Sequence, residues 1–170
     1  MKLIVIRHAI AQDRKQFAKG GEEEDGLRPL TPRGRRRMRL ASRGLLRVAP
    51  RPDVLATSPL VRAVQTAEIL GGVWADVKIV KVPQLTPEAS TQALLKWLQE
   101  RKQASTVALV GHEPQLSAFV SWMLTGLPES FVRLKKGGAC LVELNEQVRP
   151  GRGRLVWSLA PAQLRLLGGH

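Results

Sequence analysis

Two histidine-bearing segments and a third, arginine-bearing one stand where apolar runs of this sequence end. Arg7-His8 closes the run Leu3-Ile4-Val5-Ile6, and Gly111-His112 closes Val107-Ala108-Leu109-Val110. A third run, Val54-Leu55-Ala56-Thr57, leads into Ser58-Pro59-Leu60-Val61-Arg62. Short continuous apolar runs read as strands buried on both faces. Ligands of such sheets bind beyond the carboxyl ends of the strands. Singly, a strand-end histidine is more often a structural hydrogen-bonding group, and Arg62 a solvated helix residue. Two histidines and two arginines gathered at one sheet edge are instead a cationic site for an anion. Gly111 permits close backbone approach, and a helix starting near Pro114 turns its free N–H groups to the same edge.

The elements that must hold these residues alternate. Residues 2–6 and 53–57 predict strands, and residues 77–82 and 106–110 two more. Ser58 is expected as an N-cap with Pro59 at the first helical position, ahead of a helix burying Leu60, Ala63, Val64, Ala67 and Leu70. Thr31 and Pro32 repeat that signature before a helix whose buried stripe is Met38, Ala41, Leu45 and Val48. Residues 91–101 predict a further helix, as do those from Pro114 to about Leu124. Residues 139–144 and 153–159 predict an edge hairpin joined through Pro150-Gly151-Arg152-Gly153. Glu22-Glu23-Glu24-Asp25 reads as a surface loop. Alternation of this kind implies an α/β fold, a three-layer α/β/α sandwich with a mostly parallel central sheet. At 170 residues, one domain over 1–170 is expected.

Composition narrows the classes. The chain carries 27 Lys+Arg against 14 Asp+Glu, a formal charge of +13, which raises nucleic acid as a partner. Much of that charge lies between Arg28 and Arg51, where Arg36, Arg39, Arg43 and Arg47 recur at helical spacing away from the apolar stripe. Single-stranded nucleic acid wants stacking aromatics among its basic residues, and this stretch has none. A solvated arginine face is the simpler reading. No apolar run approaches a membrane span, and Met1–His8 is too soon charged for a signal peptide. One cysteine, Cys140, excludes an internal disulfide framework and fits a reducing cytoplasm. Three histidines and one cysteine are too few for the usual zinc sites, so no metal or other cofactor is expected.

Three blocks carry a family resemblance. Arg7-His8-Ala9, Ser58-Pro59-Leu60-Val61-Arg62-Ala63-Val64-Gln65-Thr66-Ala67-Glu68 and Val110-Gly111-His112-Glu113-Pro114 resemble, in order and spacing, those of the histidine phosphatase superfamily. Arg28-Pro29-Leu30-Thr31-Pro32-Arg33-Gly34 and Leu85-Thr86-Pro87 are similar to segments of its SixA-type phosphohistidine phosphatases. The resemblance runs to about residue 160 and implies a phosphoglycerate mutase-like fold in a minimal version without lid insertions.

It also implies roles. His8 would be the nucleophile, attacking phosphorus to give a phosphohistidine intermediate that water hydrolyses. Its ring must be neutral, which neighbouring arginines favour, with one nitrogen bare and the other bonded to a backbone carbonyl. Arg7, Arg62 and His112 would surround the phosphoryl oxygens, in the place Mg²⁺ takes elsewhere. Arg28 would touch phosphate or substrate from the rim. Two departures matter. Ala9 stands where the superfamily usually has glycine, a change SixA-like members accept. Glu88 is the acid nearest the usual proton-donor position, but its register is offset, and a solvated loop residue is an equal reading. An alkoxide leaving group needs a positioned acid, whereas the imidazole of phosphohistidine is readily protonated by solvent. The substrate expected is therefore phosphohistidine on a protein, such as the acidic phosphotransfer domains of bacterial signalling relays. The alternatives are a phosphatase for small phosphate esters and a basic nucleic-acid-binding module on the same fold.

Overall fold

In the first apolar run, alternate side chains face opposite ways, and Leu3, Ile4, Val5 and Ile6 are all fully buried. Leu3 and Val5 enter one core cluster while Ile4 and Ile6 enter another, so this strand divides two hydrophobic layers. It is the central strand of the fold, which a computed structural model describes for residues 1–19 and 24–169. In chain order the elements are β1 (Lys2–Arg7), α1 (Arg14–Lys19), α2 (Pro32–Val48), β2 (Val54–Thr57), α3 (Val61–Gly71) and β3 (Lys78–Lys81). There follow α4 (Thr91–Gln99), β4 (Thr106–Gly111), α5 (Gln115–Thr125), β5 (Ala139–Glu143), β6 (Arg154–Leu159) and α6 (Pro161–Gly168).

The strands form one sheet in the order β3-β2-β4-β1-β5-β6. The first four are parallel, and β5 and β6 add an antiparallel hairpin at one edge, as the sequence implied. Helices α4 and α5 cover one face through Leu94, Leu98, Leu116 and Phe119. Helices α2, α3 and α6 cover the other through Met38, Leu45, Ala67 and Leu164. The result is the three-layer sandwich, and no insertion forms a lid among the described residues. Among them, no helix is long and apolar enough to cross a membrane. Cys140 is a free thiol buried in β5, where burial pushes its pKa up to about 12.

Register positions the site. Arg7 pairs with Gly111 across β1 and β4, and Thr57 pairs with Val110 across β2 and β4. The His8 amide then donates to the Gly111 carbonyl (3.0 Å) and the Ser58 amide to that of Val110 (2.9 Å). Three strand ends therefore stop level, and the residues just past them lie side by side.

Some local expectations need correction. Ser58 does not cap a helix: Leu60 is the extended residue before α3, which begins at Val61, and the Ser58 hydroxyl bonds elsewhere. Leu60 and Val64 are only half-buried; the buried face is Ala63, Thr66, Ala67 and Leu70, with Arg62. The third strand and the helix after it are shorter than expected, ending at Lys81 and Gln99. Glu22 and Glu23 lie outside the described residues; Asp25 opens a tight turn, Asp25–Leu27, that faces the site rather than solvent alone. Two helices, α1 and α6, give no clear apolar period.

The second of these is held by backbone approach. Helix α2 meets α6 at Gly44 and Gly168, where an added Cβ would run into the carbonyls of Leu164 and Leu40. An alanine in a helix ordinarily gains about 1 kcal/mol over glycine. Here the sign reverses, and we expect Gly44→Ala to lower stability by about 1–3 kcal/mol in urea denaturation. Stabilisation would mean the two helices separate at little cost.

Candidate active site

A cleft of about 290 Å³ opens at the carboxyl ends of β1, β2 and β4. Arg7, His8, Arg28, Arg62, Glu88 and His112 all line it, so every sequence-predicted site residue is brought to one place. Arg14, Asp25, Glu113 and Lys136 line it too, and these the sequence reading did not assign.

His8 is 5% exposed, and its Nδ1 lies 2.7 Å from the Ala9 carbonyl. A carbonyl only accepts, so Nδ1 carries the proton and Nε2 keeps its lone pair. Burial, with the Arg62, Arg7 and Lys136 charges adding to it, depresses the ring's pKa to about 3. At neutral pH it is uncharged. The turn that holds it is tied on both sides: Thr66 accepts the Ala9 amide (3.1 Å) and donates to the Arg62 carbonyl (2.7 Å). The Gly137 amide, at a φ of 78° that favours glycine, donates to the carbonyls of Arg7 and His8 (3.1 Å each). Ala9 is 3% exposed and packs in the core cluster beneath α2, so the methyl that departs from glycine fills core space.

His112 faces His8, ring centroids 5.0 Å apart. Its Nε2 is 2.9 Å from Ser58 Oγ, which also accepts the Leu60 amide (3.3 Å). The hydroxyl can donate its proton to a bare Nε2, and in that tautomer His112 Nδ1 is an N–H donor. Burial, then His8 and Arg62, pushes its pKa down to about 2. That Nδ1 has no partner, nor do the buried Nε atoms of Arg7 and Arg62. Buried donors are rarely left unpaired, and these three belong to residues around the bare His8 nitrogen. An anion with several oxygens would satisfy them.

The arginines are held by their other nitrogens. Arg7 Nη1 donates to the Leu134 carbonyl (2.9 Å). Arg62, 4% exposed, gives Nη1 to the Asp25 carbonyl (2.8 Å) and Nη2 to the Asp25 carboxylate (3.0 Å). The same carboxylate takes Nε of Arg28 (3.0 Å) and of Arg14 (3.3 Å). Burial alone would raise the Asp25 pKa; the Arg28 hydrogen bond, with Arg62 and Arg14, outweighs it and holds the group below the usual carboxylate range. Arg28 reaches the rim and also bonds the Gln12 carbonyl (2.7 Å).

The remaining acids differ. Glu113 lies at the start of α5 and accepts from the Ser117 hydroxyl (2.6 Å) and the Leu134 amide (3.2 Å). The anion at that helix end is thus the chain's own. Glu88 is exposed at the rim. Its loop is held from below by buried Gln115, which donates to the carbonyls of Gln84 (2.8 Å) and Ala89 (2.9 Å). Among the described residues no three His, Cys, Asp or Glu side chains gather as a metal would require.

The chain is similar to known proteins. Residues 3–86 match the family described as "Histidine phosphatase superfamily (branch 1)". An uncharacterized protein of Picosynechococcus sp. is 36% identical over 140 residues, 81% of this chain and 82% of its own. The structure of the protein histidine phosphatase SixA complexed with tungstate superposes with a TM-score of 0.83 at 24% identity, covering 96% of this chain and 99% of that one. The alpha-ribazole phosphatase of Shigella flexneri gives 0.72 at 18% identity, covering 95% and 97%.

The two buried histidines link stability to pH. Each titrates near 6.5 when unfolded but only near 3 or 2 when folded, so the unfolded chain binds more protons between those values. Their stabilisation is full above about pH 6.5 and is lost as pH falls toward 3. The slope is about 1.4 kcal/mol per pH unit for each ring. Urea denaturation between pH 7 and 4 should show it, and His8→Asn should make it shallower by about one proton. An unchanged slope would mean that the His8 ring protonates freely in the fold. Ser58→Ala tests the other hydrogen bond. It should lower kcat by about tenfold with little change in KM, since a misdirected His112 loses a donor to developing charge. A rise in KM alone would place Ser58 in substrate binding.

Proposed function

Because the chain belongs to the histidine phosphatase superfamily, and is a phosphatase, we propose that it hydrolyses phosphohistidine on a partner protein. In this reading His8 Nε2 attacks phosphorus as the bond to the substrate imidazole breaks, and solvent protonates the departing ring. Positive charge then grows on His8, and its Nδ1–H bond to the Ala9 carbonyl strengthens to meet it. Arg7 Nε, Arg62 Nε and His112 Nδ1 receive the equatorial oxygens. Water next attacks the phosphorus, the bond to Nε2 breaks, and inorganic phosphate leaves. The cations do what a divalent ion does elsewhere, so no metal takes part.

The observation that carries the substrate is the state of the carboxylates. Asp25 is held ionised by three arginines, Glu113 is engaged by Ser117 and Leu134, and Glu88 stands exposed at the rim. None is a buried acid aimed at a leaving group. An alkoxide needs one; an imidazole does not. The likeness to SixA supports the same reading. An acidic phosphotransfer domain in the cytoplasm is the partner we propose. The second reading, a small phosphate ester, has Glu88 in the cleft lining and the likeness to an alpha-ribazole phosphatase in its favour.

Phosphate release from a histidine-phosphorylated phosphotransfer domain, set against a panel of alkyl phosphates, separates them. We expect kcat/KM to favour the protein, with no change in chelator. Glu88→Gln should leave that reaction intact and depress ester hydrolysis by about 10²-fold. Preference for an ester, with loss of both reactions in Glu88→Gln, would overturn the proposal.

A further inference from the structure

Positive charge does not stop at the cleft. Lys136 lines the cleft and also a small hollow of about 40 Å³ beside it, together with Arg37, Arg165, Ala9 and Gly137. Helix α2 begins against the turn after His8: Thr31 donates its amide (3.0 Å) and hydroxyl (3.2 Å) to the Ile10 carbonyl. Its first turns, with Arg33, Arg36 and Arg37, therefore stand at the same edge as the site. Arg165 reaches the hollow from α6.

These charges have no carboxylate partner among the described residues. Among the described residues the carboxylate partners of arginine are Asp25, for Arg14, Arg28 and Arg62, and Glu100, for Arg101. No arginine of α2 has one, and neither does Arg165 or Lys136. Arg33, foremost, and then Arg165 and Arg36 push the Arg37 guanidinium down, the mark of like charges crowded without a counterion. Among the described residues no Phe or Trp lines the cleft or the hollow, and the two histidine rings there are buried, so bases would find little stacking surface. Acidic side chains would need none.

We propose that Arg33, Arg37, Arg165 and Lys136 form a docking shelf for an acidic face of the phosphohistidine-bearing protein, contiguous with the cleft that receives its phosphoryl group. The inference rests on the proposed function and adds to it where the partner lies. Such a shelf acts on encounter: complementary charge raises the association rate and loses its effect as salt screens it.

The experiment compares two charge reversals of equal size. Arg37→Glu with Arg165→Glu alters the shelf; Arg39→Glu with Arg43→Glu alters the α2–α3 groove instead. The probes are a histidine-phosphorylated phosphotransfer domain of acidic net charge and the small molecule phosphoramidate. At low salt the shelf pair should lose about tenfold in kcat/KM on the protein, and the loss should shrink at high salt. Its turnover of phosphoramidate should match wild type, which also reports an intact fold. The groove pair should change less than about twofold on either probe. Should the shelf pair not fold, Arg37→Gln with Arg165→Gln makes half the change and should give a smaller loss of the same kind. Equal losses in both pairs, or none in the shelf pair, overturn the shelf while leaving the function standing. Absence of wild-type activity on the phosphoprotein overturns the function, and the shelf with it. Selective loss of duplex-DNA binding with protein turnover unchanged would assign the surface to nucleic acid and overturn the proposal.

Discussion

Five cationic side chains share one cleft, and their mutual repulsion is the constraint that the rest of the site answers. Two unit charges about 5–6 Å apart repel by about 3 kcal/mol at an effective dielectric near 20. Asp25 relieves this on one side by taking Arg62, Arg28 and Arg14 on a single carboxylate. Glu113 relieves it on the other, where its charge supports that of Arg7. The field that remains is still positive. It adds to burial in keeping His8 and His112 uncharged, which leaves one ring with a free lone pair and the other with a free N–H.

Geometry rests on the sheet. A one-residue shift between β1 and β4 would carry His8 off its level with His112 and turn its side chain to the other face. The apolar run Leu3–Ile6 is bounded by exposed Lys2 and half-buried Arg7, so such a shift would draw a charged side chain into the core. Core packing thus helps to hold the spacing of the two histidines. The helices add local ties, of which Thr66 of α3 is the clearest, since one hydroxyl joins the His8 turn to the backbone of Arg62.

Much of this was legible in the sequence, for a physical reason. Strand ends are marked by where apolar runs stop, and parallel strands send their carboxyl ends to a common edge, so Arg7, His8, Arg62 and His112 could be gathered without coordinates. Ser58 was misread because Ser-Pro is a genuine helix-start signature; only the third dimension shows that its hydroxyl belongs to His112. Asp25 was hidden in an acidic tract, where local pattern suggests solvent. Lys136 reaches the cleft through a turn with no period to reveal it. Helix α6 was missed because it is held by glycine contacts with α2 and a single fully buried leucine, Leu164, rather than by an apolar stripe.

The loop carrying Glu88 is attached differently from the centre of the cleft. Arg7, His8 and His112 issue from strand ends locked in register and Arg62 from the first turn of α3, whereas this loop, beyond the buried Leu85, is tied to α5 by the amide of Gln115, which donates to two carbonyls. Carbonyls are the same whatever residue bears them. The segment from Thr86 to Ala89 is therefore free to change its chemistry while its path stays put. Gain or loss of an acidic group at the rim becomes a matter of rewriting a few surface positions, with the cationic cleft inherited unchanged. A fold divided in this way can vary the edge of its cleft without first dismantling the floor.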